Sequence, residues 1–269
     1  MGRIYTIANQ KGGVGKTTTA VNLGAFLATF GQRILLVDLD PQANASSCLG
    51  IDKRTVKNSI YDVIIGSEPA IKNILYNQRL KLSLLPSSPA LAGAEVELVS
   101  VIAREIRLRE ALHPLIERYD YILIDCPPSL GLLTLNGVVA AKDGVIIPVQ
   151  CEYLALEGIG QLNQTLSRIR TAIFPNLRVR GVVLTMFDVR TKLSADVVNE
   201  ITRHFPDQVF ATIIPRSVRL AEAPSYGQPI SVYAPGSNGA TAYSNLAREI
   251  LVGDGLLIAE PIQALASTV

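Results

Sequence analysis

The chain has 269 residues, of which 48% are hydrophobic and 18% charged, and its formal net charge is +2. That is apolar material for one generous α/β domain or two small ones, and too few charges for a disordered chain. So small a net charge leaves room for nucleic-acid contact only through a local patch. Cys48, Cys126 and Cys151 lie far apart with no C-x-x-C, which argues against a disulfide framework or a zinc site and suits a reducing cytosol. No apolar run approaches the roughly 18 residues of a membrane span. The best candidate, 137–149, is interrupted by Lys142 and Asp143.

In chain order, Ile4, Ile7 and Ala8 predict a short buried strand. A glycine-rich turn follows, with Gly12, Val14 and Gly15 around Gly13, and then a helix from Lys16, Thr17 and Thr18 to a stop at Gly31. Strand, glycine loop and helix in that order make a phosphate cradle. Glycines let backbone N–H groups turn inward, and the helix brings its positive end to the same spot. Lys16 can reach the β- and γ-phosphates of a nucleotide, and the Thr17 hydroxyl can hold Mg²⁺.

A second strand, 33–38, ends in Asp38-Leu39-Asp40-Pro41, placing two carboxylates where a doubly wound sheet delivers its chemistry. Residues 43–80 read poorly beyond a short helix near 59–65. Residues 81–85 predict a strand. A single long helix is expected from about Gly93 to Tyr119, with Leu98, Ile102, Ile106, Leu112 and Leu115 as its apolar face. Glu105 and Arg109 are expected to pair on its wet side, and Pro114 to kink its end. Strand 121–125 ends in Asp125, a second handle for Mg²⁺ behind a phosphate loop. Strand 145–150, a helix 155–172, strand 180–186, a helix 193–204, strand 209–214 and a helix 240–251 complete the alternation. Together they predict one doubly wound, mostly parallel α/β sheet with helices on both faces. The domain is expected over 1–253, with 254–269 a possibly mobile tail.

The loop departs from the usual G-x-x-x-x-G-K-[ST] pattern. Gln10 stands at the first glycine position, and a second lysine, Lys11, precedes the glycines. The run Lys11-Gly12-Gly13-Val14-Gly15-Lys16-Thr17-Thr18 resembles the deviant Walker A box of the ParA/MinD ATPases. Asp38-Leu39-Asp40-Pro41-Gln42, Asp125-Cys126-Pro127-Pro128, Pro148 to Tyr153, Thr185 to Thr191 and Ile214 to Ser225 extend the resemblance to nearly the whole chain, and to the chromosomal ParA (Soj) partitioning ATPases.

That resemblance implies a P-loop ATPase using ATP and Mg²⁺. Lys11 would reach across a homodimer to the partner's ATP. Asp40 would position the attacking water, Lys16 and Lys11 would neutralise phosphoryl charge, and Thr17 and Asp125 would hold the metal. Pro215 and Ser217 fall on the adenine-side loop, and Arg190 and Arg219 match arginines used for sequence-independent binding of double-stranded DNA. Lys192, Arg180 and Arg203 are further candidates for that patch. A ParB-type partner protein would stimulate slow hydrolysis, and the location would be cytoplasmic, on the nucleoid. Because the chain starts at its first strand, the extra N-terminal DNA-binding region of larger plasmid relatives is expected to be missing. A MinD-like membrane switch is the alternative. It asks for a basic amphipathic helix at the C-terminus, and residues 256–261 carry a proline and no lysine or arginine.

Overall fold

The computed structural model describes residues 2–152 and 155–256. Its strands are β1 (Arg3–Ile7), β2 (Ile34–Asp38), β3 (Leu75–Asn77), β4 (Leu82–Leu85), β5 (Tyr121–Asp125), β6 (Gly144–Gln150) and β7 (Val179–Thr185). They form one sheet in the order β3-β4-β2-β5-β1-β6-β7, parallel throughout except where β3 meets β4. The helices in chain order are α1 (Lys16–Thr29), α2 (Asn44–Cys48), α3 (Ile60–Ile64), α4 (Leu91–Glu97), α5 (Arg107–Leu112) and α6 (Leu132–Ala140). They continue as α7 (Ala155–Ala172), α8 (Lys192–His204), α9 (Val218–Glu222), α10 (Ile230–Tyr233) and α11 (Asn238–Gly253). The expected doubly wound α/β architecture is the one observed.

The interior strands are apolar along their length because both sheet faces are covered. Every residue of β2 and β5 is buried. On one face Leu23 and Leu27 of α1 share an apolar cluster with Tyr243, Leu246 and Ile250 of α11. On the other, Leu91, Leu108, Leu112, Leu133 and Ile201 close over the sheet. Each such leucine contributes roughly 1.5–3 kcal/mol by leaving water. α1 shows no clean polar stripe because it is sandwiched between the sheet and α11. From β1 the chain winds to one side through β2, β4 and β3, returns through β5, and crosses to the other side through β6 and β7. The direction therefore reverses around β1, and crevices that bind ligands open at such switch points.

Three expectations fail for tertiary reasons. The single helix over 93–119 is broken. Val101 is extended, Ala103 sits in the left-handed region at φ 57°, and 3₁₀ turns flank α5. The break is held by Asn136 of α6, which donates to the Arg104 carbonyl (2.7 Å) and accepts from the Leu108 N–H (3.1 Å). Ile102, expected in the core, is 92% exposed. With the helical register lost, Glu105 pairs with Arg104 and Arg109 with Glu110. Pro114 does mark a change of winding, lying within a 3₁₀ turn, His113–Leu115. The expected strand 209–214 makes one bridge, Val182 to Val209, and then leaves the sheet. Its Ala211 and Thr212 N–H groups donate instead to the Glu249 carboxylate on α11 (2.6 and 3.0 Å). Finally Asp254, placed in the tail by the sequence, is buried under the sheet. It accepts from the hydroxyls of Tyr5 (2.8 Å) and Tyr121 (2.9 Å). The rest of the tail call, 257–269, lies outside the described residues.

Candidate active site

The loop between β1 and α1 is pinned from the two strands beyond β1. The Asn9 amide donates to the Pro148 carbonyl of β6 (2.7 Å) and accepts from the Lys11 N–H (3.0 Å). The Thr185 hydroxyl, at the end of β7, donates to the Val14 carbonyl (2.9 Å). Gly13 and Gly15 take φ values of 74° and 87°, which side chains with a Cβ avoid. Gly15 caps α1 without any side-chain hydrogen bond to the first-turn amides. Those N–H groups, with the helix dipole behind them, remain for an anion.

Lys16 is 6% exposed and donates its ammonium to the Lys11 carbonyl (2.9 Å). Burial pulls its pKa down while Asp125 and Asp40 pull it back up. A charged ammonium resting on a loop carbonyl is a poor endpoint for a buried cation and a good starting point for one that meets a phosphate. Lys11 differs: among the described residues its ammonium has no hydrogen bond or ion pair. A cleft of about 250 Å³ opens here, lined by Gly13, Lys16, Thr17, Thr18, Asp40 and Met186, among others. Val14 lies under the loop and Lys11 beside it; neither lines the cleft.

Asp125 closes the floor. It is fully buried, and neither carboxylate oxygen has a hydrogen-bond partner among the described residues. Burial pushes its pKa well up, and Asp38 adds to this; the nearby Thr17 hydroxyl opposes them. An unpaired carboxylate in such a place calls for a cation. Thr17 and Asp125 supply hard oxygen donors, and no cluster of three or more His, Cys, Asp or Glu side chains is present among the described residues. That set fits Mg²⁺, which takes one or two protein oxygens and fills its shell with phosphates and waters. It does not fit an iron–sulfur cluster, since all three cysteines are buried and free, with Cys48 pushed up to about 12 and Cys151 to about 11 by burial.

Asp40 is anchored by its neighbours. Its carboxylate accepts from the Gln42 N–H (2.9 Å), and its carbonyl accepts from the Ser87 hydroxyl (2.7 Å). Beneath it lies a group that received no separate role in the sequence: Asp38, last residue of β2 and register partner of Asp125. Asp38 accepts from the Ser46 N–H and hydroxyl (both 2.7 Å), and the Ser46 hydroxyl in turn accepts from the Ser87 N–H (3.1 Å). Burial raises its pKa to about 6 against the pull of those donors. Asp38 therefore holds the loop that carries Asp40. Asn9 and Thr185 were missed in the same way. The available signal was that each is a polar residue at the carboxyl end of a strand beside the switch point.

Pro215 bridges to Phe187, and Ser217 caps α9 by accepting from the Leu220 N–H (3.4 Å). Neither lines the phosphate cleft; they follow Met186, which does, through the hydrogen bond from the Arg216 N–H to the Phe187 carbonyl (2.9 Å). That contact also brings the loop of Arg190 beside the helix of Arg219. Both arginines are exposed, paired with Asp188 (2.7 Å) and Glu222 (3.0 Å) respectively. Of the further basic candidates, Arg203 pairs with Glu200 and Lys192 is exposed. Arg180 does not belong to the patch. It is folded inward onto Asp254 (3.1 Å) and over the rings of Tyr5 and Phe210.

Residues 2–179 match the family described as AAA domain. The chain is 52% identical over 250 residues to the sporulation initiation inhibitor protein Soj of Bacillus subtilis, covering 93% of this chain and 98% of that protein. It is 51% identical over 255 residues to the chromosome partitioning protein ParA of Myxococcus xanthus, covering 94% and 89%. The chain belongs to the ParA/Soj family. The ParA/Soj match spans the cradle, both strand-ending carboxylates and the loops of Arg190 and Arg219. Among solved structures, a Mycobacterium smegmatis protein described as cobyrinic acid a,c-diamide synthase superposes with a TM-score of 0.84 at 38% identity, over 95% of this chain and 96% of that one. That crystal holds an ATP analog and magnesium. Proteins of different names thus share the fold, and the higher identities place this chain with ParA and Soj. Among the described residues no helix is long and apolar enough to cross a membrane.

Proposed function

We propose that this chain is an ATP-dependent DNA-segregation switch. Two copies close face to face over two ATP molecules, the closed dimer holds double-stranded DNA without sequence preference, and slow hydrolysis, hastened by a ParB-type partner, lets it go. The observation that carries this reading is the contrast between the two lysines of the cradle. Lys16 is buried and turned onto its own loop, whereas Lys11 has no partner among the described residues of its own chain. An ammonium left unpaired beside a phosphate site suits a phosphate presented by a second copy.

In the proposed cycle the first-turn amides of α1 and Lys16 seat the β- and γ-phosphates. Thr17 and Asp125 hold Mg²⁺, which when bound neutralises charge on the phosphate oxygens. Asp40 accepts a hydrogen bond from the attacking water and orients it. Fixed by Gln42 and Ser87, it needs little rearrangement to do so. Its side chain has no strong base behind it, so turnover is intrinsically slow. ADP and phosphate are the products, and loss of the γ-phosphate removes Lys11's reason to cross. Arg190 and Arg219 contact DNA phosphates from adjoining segments, with the patch doubled in the dimer and binding that weakens steeply with salt. The protein acts in the cytoplasm, on the nucleoid.

Size-exclusion of Asp40→Ala with ATP and with ADP tests the switch. A dimer trapped by ATP alone is expected, and dimers in both nucleotides, or after Lys11→Ala, would overturn it. DNA retention with ATP should drop in Arg219→Ala. Equal retention in ATP, ADP and the variant would remove DNA from the account.

A further inference from the structure

Away from the nucleotide cleft, a hollow of about 570 Å³ opens between the loop after α2 and the start of β3. Its wall includes Thr55, Lys57, Asn58, Lys72, Asn73 and Leu75. Asn73 is 2% exposed, and neither its amide nitrogen nor its amide oxygen has a hydrogen-bond partner among the described residues. A buried amide left this way costs about 1–3 kcal/mol per unsatisfied group, a debt that an occupant of the hollow can cancel. Lys57 and Lys72 are exposed and make no ion pair among the described residues. The one carboxylate in the wall, Asp52, is held by Arg54 in a two-point contact (both 3.0 Å). The hollow is therefore positive at its rim.

It also runs into an open sheet edge. β3 pairs only with β4, so its outer side faces no strand. Leu75 and Tyr76 are 43% and 62% exposed there, and Ile71 just before them is 44% exposed. A strand edge of this kind templates another extended chain.

We propose that the hollow and the outer edge of β3 form a docking groove for an extended acidic peptide segment of a partner protein. The peptide's main chain adds beside β3 and pairs with the Asn73 amide, and its carboxylates meet Lys57 and Lys72. A peptide is favoured over a bare anion because Asn73 presents an acceptor next to a donor. Its Oδ1 needs an N–H, which a peptide carries and phosphate at its full charge does not. Apolar side chains alternating with the acidic ones would cover Leu75 and Tyr76. The groove uses none of the cradle residues, so it stands or falls apart from the nucleotide reading.

The probe is fluorescein-labelled acetyl-Glu-Val-Glu-Val-Glu-Val-amide, followed by anisotropy with the full chain. Saturable binding that weakens with salt is expected, weaker by about tenfold in the double variant Lys57→Glu, Lys72→Glu. Asn73→Leu should weaken it roughly fivefold while leaving ATP turnover and Tm in place. The same peptide N-methylated at alternate residues should not bind. No saturable binding, equal binding of the N-methylated peptide or of one with lysine in place of glutamate, or an Asn73→Leu protein that is folded and binds normally would each overturn the proposal. Complete displacement by inorganic phosphate would assign a simple anion site instead. If Asn73→Leu fails to fold, the N-methylated peptide and the lysine variant still decide.

Discussion

Two buried aspartates mark the two ends of the same sheet. Asp254, at the end where β1 and β5 begin, is saturated. Tyr5 and Tyr121 donate to it, and Arg180 (3.1 Å) and Arg3 (3.4 Å) pair with it. Asp125, at the end where β5 finishes, has none of this. It faces Asp38 and Asp40 across a cleft and has no hydrogen bond of its own. Both are charges taken out of water, and only one has been compensated inside the chain. The fully partnered carboxylate is a fastener for α11. The unpartnered one is stable only when something arrives, which makes it the functional end.

Asp125→Asn breaks the comparison most sharply. ATP hydrolysis should fall by about 10²–10³-fold, as for loss of a group that stabilises the reacting phosphate, and the magnesium requirement should weaken. Urea melts of the nucleotide-free protein should show no loss, because an unfavourable buried charge has been removed. Asp254→Asn is the mirror experiment. It should cost about 3–5 kcal/mol in urea denaturation by leaving Arg180 and Arg3 facing a weakened partner, with nucleotide affinity unchanged in whatever remains folded. If Asp254→Asn abolished ATP binding while Asp125→Asn mainly unfolded the protein, the two ends would have been read the wrong way round.

Asp38 lies between these extremes, since it is buried and also hydrogen-bonded. Its folded pKa of about 6 lies above the unfolded 3.8. Between those values the folded state holds the extra proton, so stability falls as pH rises through that window, and the deficit is complete above it. Asp38→Asn should therefore gain on the wild type from pH 4 to 6.5, by on the order of 2 kcal/mol, in melts run across that range. A constant difference would mean that the Ser46 donors already compensate the charge. The smallest expected effect tests the loop's moorings. Thr185→Val should cost about 1 kcal/mol and weaken ATP binding severalfold in calorimetry, because the Val14 carbonyl loses its only side-chain donor among the described residues. Unchanged ATP affinity would mean that Asn9 alone holds the cradle.

Much of this site could be read before folding because it is local. Gly13, Gly15, Lys16 and Thr17 act within one turn of backbone, so their spacing alone describes a phosphate cradle. Asp40 and Asp125 follow apolar runs that can only be buried strands, which puts both at one edge of the sheet. What sequence spacing could not show is who compensates whom across long separations. The break in 93–119 depends on Asn136, the fate of 209–214 on Glu249, and the burial of Asp254 on tyrosines and arginines from three strands.

The sequence by itself determined the parallel α/β fold and the chemistry of the cradle, since hydrophobic runs, glycines and strand-ending carboxylates act through near neighbours. Only the tertiary structure decided which buried polar groups are satisfied and which are left open: Asp254 closed, Asp125 and Asn73 open. That distinction rests on hydrogen-bond partners brought together from distant parts of the chain, and in a low-dielectric interior those partners decide whether a polar group supports the fold or awaits a ligand.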